Sequence, residues 1–153
     1  MERTQGDYRL SDNPADQQPE KVHAYLSRSY GAEGIPLDLV RRSLANSLCI
    51  GLFHCGAQVG LARVITDRAT FAYLCDVYVL EEHRGNGLAK WMMQAVTEHP
   101  ELQGIRRFTL ATRDAHGLYA QFGFKTPAQP ESLMEFRRPG LYKSATRGAV
   151  PPP

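Results

Sequence analysis

The sequence predicts an α+β domain, a mixed and mostly antiparallel sheet with helices on both faces. Three observations carry that reading. Strand-like segments separated by short turns fill residues 48–80. A glycine-bearing loop then opens directly into a helix with an apolar stripe. A further strand-like segment follows that helix at residues 107–112. Strands joined by tight turns lie antiparallel, whereas two strands flanking a crossover helix lie parallel. A chain of 153 residues, 42% of them hydrophobic, suits one domain around one core. That domain is expected over residues 1–143. Residues 144–153, which end in three prolines, read as a disordered tail.

Residues 7–11 form a first short strand, and Asp12, Asn13 and Pro14 turn the chain after it. Residues 19–30 predict a helix: Pro19 suits a first turn, and Val22, Tyr25, Leu26 and Tyr30 fall near one face. The stretch from Gly31 to Pro36 breaks it. Residues 37–46 predict a second helix, with Leu37, Val40 and Leu44 as its stripe and Arg41 and Arg42 beside it. Strands follow at 48–54 and 58–66, joined at Cys55-Gly56. Asp67-Arg68 turns the chain into a third strand, 70–80. Leu88, Trp91, Met92, Ala95 and Val96 recur at helical spacing, so a helix runs to about His99 and stops at Pro100. A strand at 107–112 and a short helix at 114–122 come next, with Asp114 as N-cap and Gly123 at its end. Residues 124–126 and 132–138 read as the last two strands. The expected order is β α α β β β α β α β β.

The formal net charge is +2 and the basic residues form no long run, so nothing marks a nucleic-acid surface. No apolar run approaches the roughly 20 residues that span a bilayer, and the first ten residues lack the apolar core of a secretory signal. Cys49, Cys55 and Cys75 are odd in number and lie within apolar stretches. They read as small buried hydrophobes in a reducing compartment rather than as disulfides or zinc ligands. A cytoplasmic protein without a metal, a membrane or a nucleic-acid partner is expected.

The loop Glu82-His83-Arg84-Gly85-Asn86-Gly87 joins a strand to a helix. A helix start presents unpaired N–H groups and a partial positive charge. Gly85 and Gly87 let that backbone approach an anion, and Arg84 adds a planar cationic fork. The construction suits a pyrophosphate, although an R-G-x-G alone is equally a turn with no ligand. The G-x-G-x-x-G pattern of dinucleotide sites is absent, and so is G-x-x-x-x-G-K-[ST].

The segment from Asp76 through Tyr78, Val79 and Arg84-Gly-Asn-Gly-Leu-Ala89 resembles the acetyl-CoA motif of the GNAT N-acetyltransferase superfamily, R/Q-x-x-G-x-G/A. Arg84, Gly87 and Ala89 fill its defined positions. A second block, from Thr112 through Leu118-Tyr119 to Gly123-Phe124, is similar to the family's later motif, in the family's order and spacing. The two blocks and the N-terminal helices extend the resemblance over roughly residues 7–138. Two departures stand out. Thr112 occupies a position where asparagine is common, and Glu81 stands where a proline often precedes the loop.

The resemblance implies a GNAT-like acyl-CoA N-acyltransferase fold and an acetyl-CoA-dependent N-acetyltransferase. Such an enzyme moves an acetyl group to a primary amine by direct attack in a ternary complex. It assigns the donor site to Tyr78, Val79, Arg84, Gly85, Asn86, Gly87, Leu88, Ala89 and Thr112. Tyr78 and Val79 would meet the pantetheine amides where the sheet splays after Val79. Tyr119 is the candidate general acid: a phenol of pKa about 10 can protonate a departing thiolate of pKa about 8.5. It also fits an apolar face with Phe122. Asp76 is a candidate base, or equally a carboxylate paired with an arginine. His116 has the intrinsic pKa for a base and faces the same side as Tyr119, or is a surface histidine. Arg28 and Tyr30 are the candidate acceptor-binding residues. A small amine is the expected acceptor. A protein or peptide amine, or a non-catalytic acyl-CoA-binding module, stays open, as does a homodimer.

Overall fold

The computed structural model describes residues 1–142. The expected tail at 144–153 lies outside the described residues. One six-stranded sheet runs in sequence order. Its strands are β1 (Glu2–Gln5), β2 (Tyr8–Ser11), β3 (Leu48–His54), β4 (Ala57–Thr66), β5 (Phe71–Val79) and β6 (Arg107–Leu110). The helices are α1 (Pro19–Leu26), α2 (Leu37–Ala45), α3 (Leu88–Glu98) and α4 (His116–Ala120). Neighbouring strands are antiparallel except β5 and β6, which α3 joins as a parallel pair.

Strand alternation divides the core into two. Leu48, Ile50 and Leu52 of β3 and Ala62 and Val64 of β4 point to one face, where Met92, Met93, Ala95 and Val96 of α3 cover them. Cys49 and Leu61 point to the other face, onto Val22 and Leu26 of α1 and Val40 and Leu44 of α2. Helices therefore cover both faces, as the sequence predicts.

Two bulges bend the sheet. At the β4–β5 bulge, Leu61 faces Tyr78 but Arg63 faces Cys75, so β5 carries one extra residue around Asp76 and Val77. Asp76 adopts φ +53 there. This kink lies just before the glycine loop at residues 84–87 and aims the end of β5.

Several elements differ from expectation. The first strand is half of a hairpin, with β1 added through Gly6-Asp7, where Gly6 has φ +58. Helix α1 stops at Leu26 because the chain tightens into i−3 bonds, Arg28 N to Tyr25 O and Ser29 N to Leu26 O, and Ser29 Oγ also donates to Leu26 O at 2.7 Å. Tyr30 is thus on a loop. Helix α4 begins at His116, and the oxygen that turns the chain into it is Thr112 Oγ1, which accepts from Ala115 N at 3.0 Å. Asp114 is not the cap. Cys55 is exposed, in a hairpin turn with φ +50, rather than buried. Residues 124–126 and 132–138 form no strand; among the described residues no strand pairs with them, and Ser132 belongs to the 3₁₀ turn Pro130–Ser132.

Candidate active site

The site is built where β5 leaves the sheet. Leu80 N donates to Val59 O at 2.8 Å and closes the ladder with β4. A 3₁₀ turn, Glu81–His83, brings Arg84 back over the strand end, and its Nε donates to Val79 O at 2.8 Å. Gly85 (φ +85) and Gly87 (φ +71) carry the chain into α3 in conformations that exclude most side chains. A Cβ at either glycine would meet nothing within 4 Å, so the backbone faces open space. Gly87 is the N-cap of α3 and supplies no side-chain cap, leaving the first N–H groups of the helix unclaimed. Leu88 is buried against the sheet and fixes the helix start. Ala89 packs beside it, half-buried. Asn86 Nδ2 bonds His83 O at 3.2 Å, within the loop.

Two residues that sequence reasoning passes over hold this loop. Tyr8 of β2 hydrogen-bonds its hydroxyl to His83 Nδ1 at 2.8 Å. The rings of Tyr8 and His83 meet edge-on, and His54 packs against both. His83 borders Arg84 in the sequence, which is a signal of a kind. Nothing in the sequence links Tyr8 to it.

The β5–β6 ladder ends at Leu74 and Leu110, while β5 continues to Val79. The strands therefore part at Leu74, earlier than the expected point after Val79. The Tyr78 side chain is buried and stacks on Tyr25 with centroids 4.0 Å apart and planes at 9°. Burial pushes its phenol well above the ordinary range. Tyr78 can therefore serve a ligand only through its main chain.

Thr112, His116 and Tyr119 line one cleft of about 650 Å³, with residues 107–111 and Phe124. Tyr119 is half-buried and packs on Phe124, which in turn meets Phe108 edge-on. Burial raises the Tyr119 phenol above its ordinary value. Its hydroxyl has no hydrogen-bond partner among the described residues, so it is available to a ligand. His116 is exposed beside it. Thr112 Oγ1 uses a lone pair on Ala115 N and keeps its proton to donate.

Asp76 is not in that cleft. Its Oδ2 accepts from Arg63 Nε at 2.8 Å, and Arg63 Nη1 reaches Ser47 Oγ at 3.0 Å. Of the two readings of Asp76, the arginine-paired one describes its contacts. Arg63 also lies between Cys49 and Cys75 on adjacent strands. Burial raises those thiols to about 11 and about 12, so neither is a nucleophile near neutral pH.

Arg28 and Tyr30 come close to the glycine loop. Tyr25, Arg28, Ser29, Tyr30, Glu81, Glu82 and Arg84 line a polar hollow of about 320 Å³. Arg28 sits 5.2 Å over the Tyr25 ring. Arg113, just beyond β6, sits 4.1 Å over the Tyr30 ring and bridges the two sides of the site.

The arrangement has known counterparts. The profile of the Acetyltransferase (GNAT) family matches residues 14–124. A Gibberella zeae protein named for an inferred acetyltransferase activity is 37% identical, over 77% of this chain and 78% of its own. A crystal structure of a GNAT-family protein from Xanthomonas campestris is 54% identical, with a TM-score of 0.86 over 88% of this chain and 96% of that one. A Clostridium acetobutylicum acetyltransferase solved with acetyl-CoA shares the fold at 18% identity and a TM-score of 0.62, over 90% of this chain and 96% of that one. With a glycine loop opening α3 beside a splayed parallel strand pair, and with this breadth of match, the chain belongs to the GNAT acetyltransferase family.

Proposed function

We propose that this chain transfers the acetyl group of acetyl-CoA to the primary amine of a small molecule, by direct attack while both are bound. The observation that carries the reading is the open backbone at Gly85 and Gly87, at the uncapped start of α3, beside the parting of β5 and β6. Such a cradle takes a pyrophosphate: N–H groups converge, the helix dipole favours negative charge, and no side chain fills the space. The Arg84 guanidinium, oriented by Val79 O, adds a fixed cation. In this reading the main chain of Tyr78 and Val79 and the hydroxyl of Thr112 meet the amides of the pantetheine arm.

Acetyl-CoA supplies an activated acyl group whose sulfur must leave with a proton. Tyr119 is the donor of that proton: its burial keeps the phenol neutral, and its hydroxyl is uncommitted. A neutral amine is required on the other side, and His116, which lines the same cleft, is the acceptor of its proton in this reading. Asp76, held by Arg63, positions the β5 bulge rather than moving protons. Arg28 and Tyr30 border the acceptor's approach beside the donor loop.

The test is direct. Acetyl-CoA should raise the melting temperature in a concentration-dependent way, and an amine panel should contain a substrate that releases free CoA thiol. Absence of any stabilisation at concentrations far above a micromolar Kd would overturn the reading.

A further inference from the structure

Arg113 is a held cation with no carboxylate to neutralise it. It follows Thr112, which lines the transfer cleft, and its guanidinium lies 4.1 Å over the Tyr30 ring. A guanidinium laid on a ring keeps its edge N–H groups for other partners. Among the described residues Arg113 forms no ion pair, with neighbouring Asp114 or with any other carboxylate. Tyr30 leads to a second such cation. It lines the hollow of about 320 Å³ beside the glycine loop, and so does Arg28. Arg28 Nε donates to Ala24 O at 3.2 Å, and its guanidinium sits over Tyr25. It too forms no ion pair among the described residues.

Every charge around the hollow bears on what can enter it. Arg84 lines it and belongs to the pyrophosphate in the reading above. Glu81 and Glu82 line it as well, exposed and outside any ion pair among the described residues. Tyr30 also lines a second hollow of about 390 Å³, with Arg137, Arg138 and Glu33. Arg107, His116 and Lys125 line the transfer cleft rather than either hollow. With Arg84 assigned to the donor, Arg28 and Arg113 are matched in charge by Glu81 and Glu82, and the second hollow adds positive charge. A polyamine brings only positive charge to these arginines, and a simple anion meets the two glutamates. A molecule with one charge of each sign finds a partner for both.

We propose that the amine acceptor is a zwitterion, an amine that also carries a carboxylate, and that Arg113 and Arg28 bind its carboxylate end. This rests on the acetyltransfer reading above and names the substrate class of that site. A planar carboxylate suits the edge of a guanidinium, which offers two parallel N–H donors. Glu81 and Glu82 favour the ammonium end at the mouth of the hollow. The carboxylate is a handle and makes no bond. The neutral amine forms the N–C bond as the C–S bond breaks, and its nitrogen gives up one proton for the one the sulfur takes. The proton shed when the ammonium becomes the amine goes to the base.

The test measures thiol release with α-, β- and γ-amino acids, each against its own carboxamide, and with spermidine and an aminoglycoside as amines without an acid group. At least one amino acid should exceed its carboxamide in kcat/KM by about tenfold or more, the loss expected when a charged hydrogen bond goes unmade. Arg113→Gln should raise the KM for that amino acid by about tenfold or more, and leave the carboxamide's kcat/KM and the stabilisation by acetyl-CoA unchanged. Arg113→Lys should recover part of the loss, since it keeps the charge without the fork. Arg28→Gln should act in the same direction as Arg113→Gln. Carboxamides or cationic amines that outrun every amino acid overturn the proposal. So do variants that slow an amino acid and its carboxamide alike. Stabilisation by acetyl-CoA with turnover of no amino acid overturns it and leaves the donor site standing. Neither stabilisation nor thiol release removes the acetyltransfer reading and this inference together.

Discussion

Arg63 Nε meets Asp76 Oδ2 at 2.8 Å at the point where β5 carries its extra residue. The two side chains are 15% and 20% exposed, so the pair is mostly shielded from water. Burial, the largest single influence, lowers the Arg63 pKa, but the charge and hydrogen bond of Asp76 together with the neighbouring Cys75 and Cys49 outweigh it and the net shift is upward. Asp76 also sits at φ +53, a region that Asp and Asn tolerate better than other non-glycine residues.

Asp76→Asn keeps the backbone tolerance and a hydrogen-bond acceptor but loses the charge. It should cost about 2 kcal/mol, between the values for exposed and for fully buried pairs. Asp76→Ala loses the tolerance as well and should cost more. Urea titration measures both. The pH dependence of kcat/KM separates structure from chemistry. With Asp76 as a positioning residue, the Asn variant keeps the acid limb of the parent profile. Disappearance of that limb would make Asp76 the base.

Tyr119→Phe removes one hydroxyl from a half-buried ring and leaves its packing on Phe124 intact. The melting temperature should change little. If the phenol protonates the leaving sulfur, kcat should fall by roughly 100-fold or more, with the KM for acetyl-CoA nearly unchanged. The sign of the pH effect follows from burial, which raises this pKa. The active species is the neutral phenol, present below the folded pKa, so any loss of kcat from its ionisation begins at a higher pH than for an ordinary phenol. A kcat for the Phe variant within a factor of about two of the parent's would remove Tyr119 from the proton path.

The shape of the glycine loop was legible because its determinants are local. Glycine, arginine and helix start follow one another in the chain, and the structure keeps them in that order. The central strands were legible for the same reason: turn pairs such as Cys55-Gly56 fix their neighbours. Long-range pairs were not. Asp76 could be read as base or ion-pair partner, and only the register that sets Arg63 beside the bulge decides which contact it makes. Tyr8 reaches His83 across 75 residues, with no pattern to announce it. The missed strand β1 is a different case. Gly6-Asp7 is a two-residue hairpin signal, but polar flanks hid a strand at the sheet edge. The two final strands failed for another reason. Their residues have strand composition, but among the described residues no strand pairs with them.

Gly87→Ala tests the cradle. At φ +71 an alanine is strained whatever the space around it, which costs about 1–2 kcal/mol. A methyl there also projects from the backbone face that would receive phosphate, so the KM for acetyl-CoA should rise by about tenfold or more. Gly104→Ala is the control. A Cβ there meets nothing within 4 Å and the backbone is not left-handed, so stability and KM should hold or improve slightly. Equal effects of the two substitutions on KM would show that the loop conformation does not matter for the donor.

Tyr8→Phe tests the brace on that loop from a distance. The Tyr8 hydroxyl holds His83 Nδ1 at 2.8 Å, and the His83 carbonyl in turn accepts from Asn86 Nδ2. The chain of contacts thus runs from β2 to Asn86, the residue between the two glycines. Losing one part-buried hydrogen bond should cost about 1 kcal/mol. Because the contact orders a loop that would bind the donor and touches no reacting atom, the KM for acetyl-CoA should rise about threefold to tenfold while kcat stays near the parent value. His83→Ala should reproduce that split, and the double variant should add little to either single change, since both remove the same bond. Full additivity of the two changes in a double-mutant cycle would mean that Tyr8 and His83 act separately and that the brace carries no coupling.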